Sequence, residues 1–293
     1  MRRPSFAYLA LAFAALLFGA TFVVIKEAVE TLPPLAFVGW RFLLGAVLLL
    51  LLAWPRGRSI WRDGLLAGTF LLAGYALQTW GLTLTTASNS GLITGLYVVF
   101  TPLLAALMIR RMPGIWTTVG TVAAFVGLAL LTVDESFSLQ SGDLATVGCA
   151  AAFAAHIVIL SRVAYRHPVV PFSAVQLLTT AVGALVLSFL FEDLPLPVAD
   201  DLPALLLTGL AVSGGAFILQ VWAQTVVGPS RTAIVLALEP VFAVAFAVWL
   251  LSERPAPRGW IGSILILGAI YAVVATSKGT DEIQAAEAVS PAH

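Results

Sequence analysis

Apolar runs alternate with short polar breaks along this chain, and the runs are roughly 18–22 residues long, the length a helix needs to cross a bilayer. Ten runs are read, near 5–25, 34–53, 64–84, 89–109, 114–133, 142–161, 170–190, 203–224, 230–251 and 258–276. Lipid offers no partner to backbone N–H and C=O groups, so each run is expected as a helix that satisfies its own backbone. The connections are short, which predicts that neighbours in sequence are neighbours in space. The first run follows Arg2 and Arg3, has no convincing small-residue cleavage site and continues towards Lys26. It reads as a retained transmembrane helix rather than a signal peptide. The tail from Ser277 is polar and acidic and reads as a disordered cytoplasmic segment, 277–293.

Composition agrees with the pattern. Hydrophobic residues make up 60% of the chain and charged residues 10%, against about 25% charged in a soluble domain. That is too little polar surface to wrap a soluble globule. Lys+Arg and Asp+Glu number 15 each, but they are segregated. With the N-terminus inside, Arg2, Arg3, Arg56, Arg58, Arg62, Arg110, Arg111, Arg162, Arg166, Arg231 and Lys278 are all cytoplasmic. Only Lys26, Arg254 and Arg258 are then outside, where the loops are otherwise acidic. The positive-inside rule therefore places both termini in the cytoplasm of a cell (inner or plasma) membrane protein. The single cysteine, Cys149, lies in an apolar run and reads as a packing residue.

The chain also repeats itself. At an offset of 142 residues, Gln78 and Trp80 fall on Gln220 and Trp222, and Ser88 on Ser230. Phe100 then falls on Phe242, Pro113 on Pro255, Gly120 on Gly262 and Tyr97 on Glu239. The expected fold is an all-α membrane protein of ten transmembrane helices, built as two five-helix repeats over 1–136 and 137–276. Five is odd, so the second repeat enters the membrane inverted, the arrangement that underlies alternating access about a central site.

Chemistry is concentrated in a few positions. Glu239 lies about nine residues into the ninth run, ~13 Å deep, with Pro240 directly after it. An ionised Glu facing lipid there would cost several kcal/mol, so it must be neutral, paired or turned to a watery cavity. Pro240 withholds an N–H and loosens the helix around the acid. Glu239 is thus either a coupling or gating group, able to carry a proton as access alternates, or a structural tie between helices. Arg41 lies about seven residues into the second run, where it either snorkels to the interface or attracts a substrate carboxylate or Glu239. The third run carries Tyr75, Gln78, Thr79, Trp80 and Thr83; the eighth carries Phe217, Gln220, Trp222, Gln224 and Thr225. Amides turned to lipid would leave donors and acceptors unmet, so these faces are expected to point inward. Asn89, Thr94, Tyr97 and Thr101 add to them, as does His156, which as a lone deep histidine reads more readily as a packing group. Such an aromatic, amide-lined cavity suits a small neutral or zwitterionic solute with an apolar part and does not suit a phosphorylated one.

Phe18-Gly19-Ala20-Thr21-Phe22 with Lys26, Arg41-Phe42, the run SNSGLITGLYVVFTPLLAALM and the run PSRTAIVLALEPVFAVAFAVWLLSERP resemble EamA-type members of the drug/metabolite transporter superfamily. Phe replaces the usual Trp at the start, and Arg111 stands where the first-half counterpart of Glu253 is usually acidic. The resemblance covers about 7–276. It implies ten helices in two inverted halves and export of amino acids or other small metabolites.

The expected activity is therefore secondary transport, not catalysis. The expected partners are a small-molecule substrate, the bilayer and, if Glu239 titrates, protons. No cofactor, metal or nucleic acid is expected, and the protein is read as a monomer or weak homodimer. An exporter of another amphipathic metabolite or drug is the nearest alternative. An intramembrane enzyme is disfavoured, since no HExxH and no Gly-x-Ser-x-Gly occurs; a channel is also disfavoured, and flux kinetics would separate it from a carrier. An ATP-driven pump lacks its phosphate loop. Small residues Gly120, Ala124, Gly127, Gly262 and Gly268 predict close helix contact, between halves or between protomers.

Overall fold

The computed structural model describes residues 4–82, 84, 93–110, 112–132, 141–251 and 257–275. Thr83, Asn89, Arg111, Glu253 and the tail from Ser277 lie outside the described residues. Among those described, the chain forms ten helices: α1 Pro4–Thr31, α2 Pro34–Leu52, α3 Arg58–Leu82, α4 Tyr97–Ile109, α5 Ile115–Thr132, α6 Ser141–Val163 and α7 Val169–Phe191, then α8, α9 and α10. α8 is one run in three pieces, Leu202–Leu206, a π-helical stretch Leu207–Ala216, and Phe217–Gln224. α9 is broken into Pro229–Leu236 and Leu238–Leu251, and α10 is Pro257–Ala275. The described parts of the apolar runs thus fold as helices. Prolines start several of them, at Pro34, Pro229 and Pro257, where the missing N–H costs nothing. Gly57 turns the chain between α2 and α3 at φ +92°, a conformation side chains resist.

Among the described residues, sequence neighbours are not the main packing partners, contrary to the expectation from short loops. α2 packs chiefly on α7 and α8, α3 on α6 and α7, α1 on α8 and α9, α4 on α6, and α5 on α10. The 142-residue offset pairs α1 with α6, α2 with α7, α3 with α8, α4 with α9 and α5 with α10. Exchanging those partners turns α3–α6 into α8–α1, α4–α6 into α9–α1 and α3–α7 into α8–α2. Each of these contacts is present.

Small residues set these contacts. A Cβ on Gly45 of α2 would lie 2.9 Å from the Gly209 carbonyl oxygen in α8, and one on Gly68 of α3 would lie 2.6 Å from the Gln176 carbonyl oxygen in α7. A Cβ on Gly127 would lie 2.6 Å from the Gly262 oxygen, so this glycine serves contact within the chain, while Gly268 faces open space. Backbones that close gain dispersion contacts that longer side chains would prevent.

Large apolar side chains cover the outside, among them Leu51, Leu107, Leu144, Trp249 and Tyr271. Trp54, Trp116, Trp249 and Trp260 are exposed, whereas Trp40 donates from Nε1 to the Pro195 oxygen at 3.2 Å. At the α2 start, the Glu192 carboxylate accepts from the N–H groups of Leu35 and Ala36 at 3.0 and 2.9 Å. At the opposite end, Asp63 of α3 accepts from His167 Nε2 at 2.8 Å.

Candidate functional site

Two helices are interrupted deep in the bundle. α9 stops at Leu236, turns at Ala237 and resumes at Leu238. Pro240 has no N–H to offer the Leu236 carbonyl four residues back, which is the local cause. Glu239 then falls in the first turn of the new piece, where the helix dipole favours a carboxylate. Ahead of α4 the helical residues Ile93 and Thr94 give way to a turn at Gly95–Leu96 and the helix resumes at Tyr97, with Val98 N–H bonded to the Gly95 oxygen at 3.0 Å. Shifted by 142 residues, Gly95, Leu96 and Tyr97 become Ala237, Leu238 and Glu239. The two breaks occupy the same register.

α4 packs on the first piece of α9, and Glu239 lies within electrostatic reach of Tyr97, Tyr75, Cys149 and Arg41. Protein encloses the Glu239 carboxyl, yet part of the residue's surface stays accessible. The Cys149 thiol sits 3.9 Å from Thr94 Oγ1, and Thr101 Oγ1 donates back to the Tyr97 oxygen at 2.7 Å.

Arg41 does not snorkel. It is 4% exposed, and its guanidinium carbon lies 4.8 Å from the Tyr75 ring centre, 4.9 Å from Phe42 and 5.8 Å from Phe37. Aromatic neighbours on α2 and α3 hold it inside, by cation–π attraction that strengthens out of water. Phe42 in turn packs edge-on against Tyr75 and Phe217, Tyr75 against Phe153, and Phe217 against Phe18. This aromatic chain joins α1, α2, α3, α6 and α8. Phe153 escaped the sequence reading because it sits in an alanine-rich run where His156 is the residue that draws attention.

The remaining candidates separate into two groups. Gln78 and Thr79 are half-buried beside Tyr75, and neither side chain has a hydrogen-bond partner among the described residues. Trp222 is half-buried against the apolar cluster that contains Tyr97, Ala237 and Leu238. The second group is tied up in bonds between helices. Gln224 Nε2 donates to the Ile157 oxygen and Ser161 Oγ at 2.8 and 3.0 Å, and its Oε1 accepts from Gln220 at 3.3 Å. His156 Nε2 is 2.9 Å from Gln176 Oε1. These amides and the imidazole pin α6 to α7 and α8. Trp80 lies away from both groups, 58% exposed near the end of α3.

The sequence pattern of the EamA-like transporter family matches this chain twice, over residues 5–133 and 140–275. The chain belongs to the EamA-like transporter family. A protein of Archaeoglobus fulgidus named as an uncharacterized transporter is 33% identical over 272 residues, covering 92% of this chain and 85% of that protein. The uncharacterized transporter YoaV of Bacillus subtilis is 25% identical over 269 residues, covering 87% and 92%. A solved crystal structure superposes with TM-score 0.78 at 22% identity, covering 98% of this chain and 99% of that one, and so shares the fold. This EamA protein is therefore a multi-pass membrane transporter and not an enzyme.

Proposed function

We propose that this EamA protein is a secondary transporter that exports small metabolites, best fitted to amino acids with hydrophobic or aromatic side chains. Its two inverted halves would alternate a central cavity between the cytoplasm, which holds both termini, and the far side of the cell membrane. The observation that carries this reading is the pair of helix breaks in matching register, at Gly95–Leu96 and at Ala237. Interrupted helices in corresponding positions of two repeats mark the substrate site of many carriers, because freed backbone groups and helix ends face the solute there. Tyr75, Gln78, Thr79, Tyr97 and Trp222 would contact the solute, with His156, Gln220 and Gln224 holding the walls. Those walls are aromatic and amide-rich, and Arg41 is the one Lys or Arg described in the cluster, which suits an apolar side chain better than a phosphate.

Glu239 is the proposed coupling group, beside the weak point that Pro240 makes. The test is counterflow in proteoliposomes: unlabelled amino acid inside, labelled phenylalanine outside, with and without a pH gradient. If Glu239 couples proton movement to export, the wild type exchanges and responds to the gradient, while Glu239→Gln exchanges and ignores it. Equal exchange with no pH response in either protein makes it a facilitator with a structural Glu239. No exchange of any amino acid by folded protein sinks the amino-acid reading and favours another amphipathic metabolite or drug.

A further inference from the structure

We infer that Arg41 holds the carboxylate of a zwitterionic substrate while Glu239 holds its ammonium group, so that the site clamps the head of an α-amino acid at two points. The inference rests on the transport reading above and assigns the head-group chemistry of the same site.

Arg41 is buried with donors to spare. Its Nε has no acceptor, and around the guanidinium lie the rings of Phe37, Phe42 and Tyr75, with the Tyr75 hydroxyl as its side-chain hydrogen-bonding neighbour. A ring face attracts a cation but offers no lone pair to an N–H group. A buried cation is costly unless it is both hydrogen-bonded and paired. The rings fix the plane and position of the fork, which is what bidentate recognition of a carboxylate requires.

Glu239 is the complementary half. It senses Arg41, yet among the described residues no ion pair joins the two and Glu239 has no hydrogen-bond partner. Two opposite charges inside one bundle would close on each other if packing allowed. Here Arg41 is held on α2 by Phe42 and Tyr75, and Glu239 is held on the resumed piece of α9. Their depths are compatible with one small solute. Arg41 lies seven residues from the start of α2, ~10 Å from that face, and Glu239 lies ten residues from the start of α9, ~15 Å from the other. In a core of ~30 Å this leaves them ~5 Å apart in depth. A zwitterion brings an anion and a cation on one carbon and completes both sites at once. A free amine satisfies Glu239 and leaves Arg41 bare; a free acid does the reverse.

The experiment needs no variant at its first stage. Wild-type proteoliposomes exchanging labelled phenylalanine are challenged with unlabelled phenylalanine, phenylalanine methyl ester, phenethylamine and 3-phenylpropanoate. The same four compounds are scored by thermal shift of the purified full chain. Losing one charge-assisted contact is expected to weaken competition roughly 10- to 100-fold, so phenylalanine should compete and the three analogues should not. Arg41→Gln should then lose phenylalanine while tolerating phenethylamine and the ester, and Glu239→Gln should still exchange phenylalanine, but only at roughly 10- to 100-fold higher concentration, while tolerating 3-phenylpropanoate. Arg41→Lys, which keeps the charge without the fork, should retain part of the exchange. If wild type takes the ester and the amine as well as phenylalanine, the clamp is wrong and the transport reading stands. If folded wild type neither exchanges nor is shifted by any of the four, the amino-acid reading fails and the clamp with it.

Discussion

Replacing Asp63 by Asn should loosen the cytoplasmic end of the bundle in a way that pH reveals. Asp63 lies at the start of α3, just outside the membrane span, and is bonded to His167 at 2.8 Å and to Arg62 at 3.0 Å. His167 is itself stacked on Phe172 at 5.3 Å, so the bond fastens α3 to the α6–α7 connection. Burial alone would raise the pKa of the Asp63 carboxyl, but hydrogen bonds from His167 and Arg62 outweigh it and hold the pKa below the ordinary value. A hydrogen bond to a charged group contributes about 1.5–3 kcal/mol. The Arg62 partner is exposed and adds about 0–1 kcal/mol. Asn keeps one acceptor, and the site lies close to water, so the expected loss is about 1–2 kcal/mol. At about 2–4 °C per kcal/mol, thermal unfolding in detergent should fall by about 2–8 °C at pH 7. The sign with pH follows from the lowered native pKa. The stabilisation is fully present above the unfolded Asp pKa of about 3.9 and is lost as pH falls through the native value. The gap between wild type and Asp63→Asn should therefore narrow below about pH 4. A gap that stays the same down to pH 3, or no gap at pH 7, would refute this account of the bond.

Glu192→Ala removes both acceptors from the α2 N-terminus and should cost about 1–2 kcal/mol, read as a lower unfolding midpoint, with Glu192→Gln intermediate. Gly209→Ala puts a Cβ 2.9 Å from the Arg41 oxygen and 2.9 Å from Leu44 Cβ, so α2 and α8 must part. It should cost about 1–3 kcal/mol in thermal unfolding and reduce phenylalanine exchange, whereas Gly114→Ala, with nothing within 4 Å, should do neither.

What could be read from the chain follows the physics that each feature rests on. The helices were legible because bilayer thickness sets a length that any apolar run displays. The break in α9 was legible in part, because Pro240 names the carbonyl it abandons. The matching break in α4 was not, since Pro102 lies beyond it and only the shared register with Ala237 singles out Gly95. Arg41 carried two readings because its depth permits snorkelling; the choice was made by Tyr75, which is distant in sequence and arrives on another helix. The stripe Gln220–Gln224 was legible as inward-facing, but its partners Ser161 and Ile157 lie on α6, and no local pattern points to them. The π-helical stretch over 207–216 left a trace in Gly209 and Gly214, which let α2 approach, but glycines alone do not specify π geometry.

The least legible feature has the largest consequence for mechanism. Apolar helices carry no code for their partners, so two repeats in sequence suggest two bodies that rock as wholes. The packing divides the molecule otherwise. α3 and α4 both lie against α6, while α8 and α9 both lie against α1. Each group takes two helices from one repeat and one from the other. Glu239 and Phe217 belong to the second group, Tyr75 and Tyr97 to the first, so the proposed site falls on the seam between them. The glycine contacts of α2 with α8 and α3 with α7 are too close to slide without backbone collision. Motion is therefore expected at the seam between α4 and α9, with the swapped groups as its units. Spin labels test this directly. Leu144 on α6 and Trp80 on α3 sit near the end where Gly142 meets Gly81, both are exposed, and their distance should stay fixed when substrate is added. Leu144 and Leu202, on α6 and α8, should change separation. If the 80–144 distance changes and the 144–202 distance does not, the repeats themselves are the moving bodies and the swapped grouping is wrong.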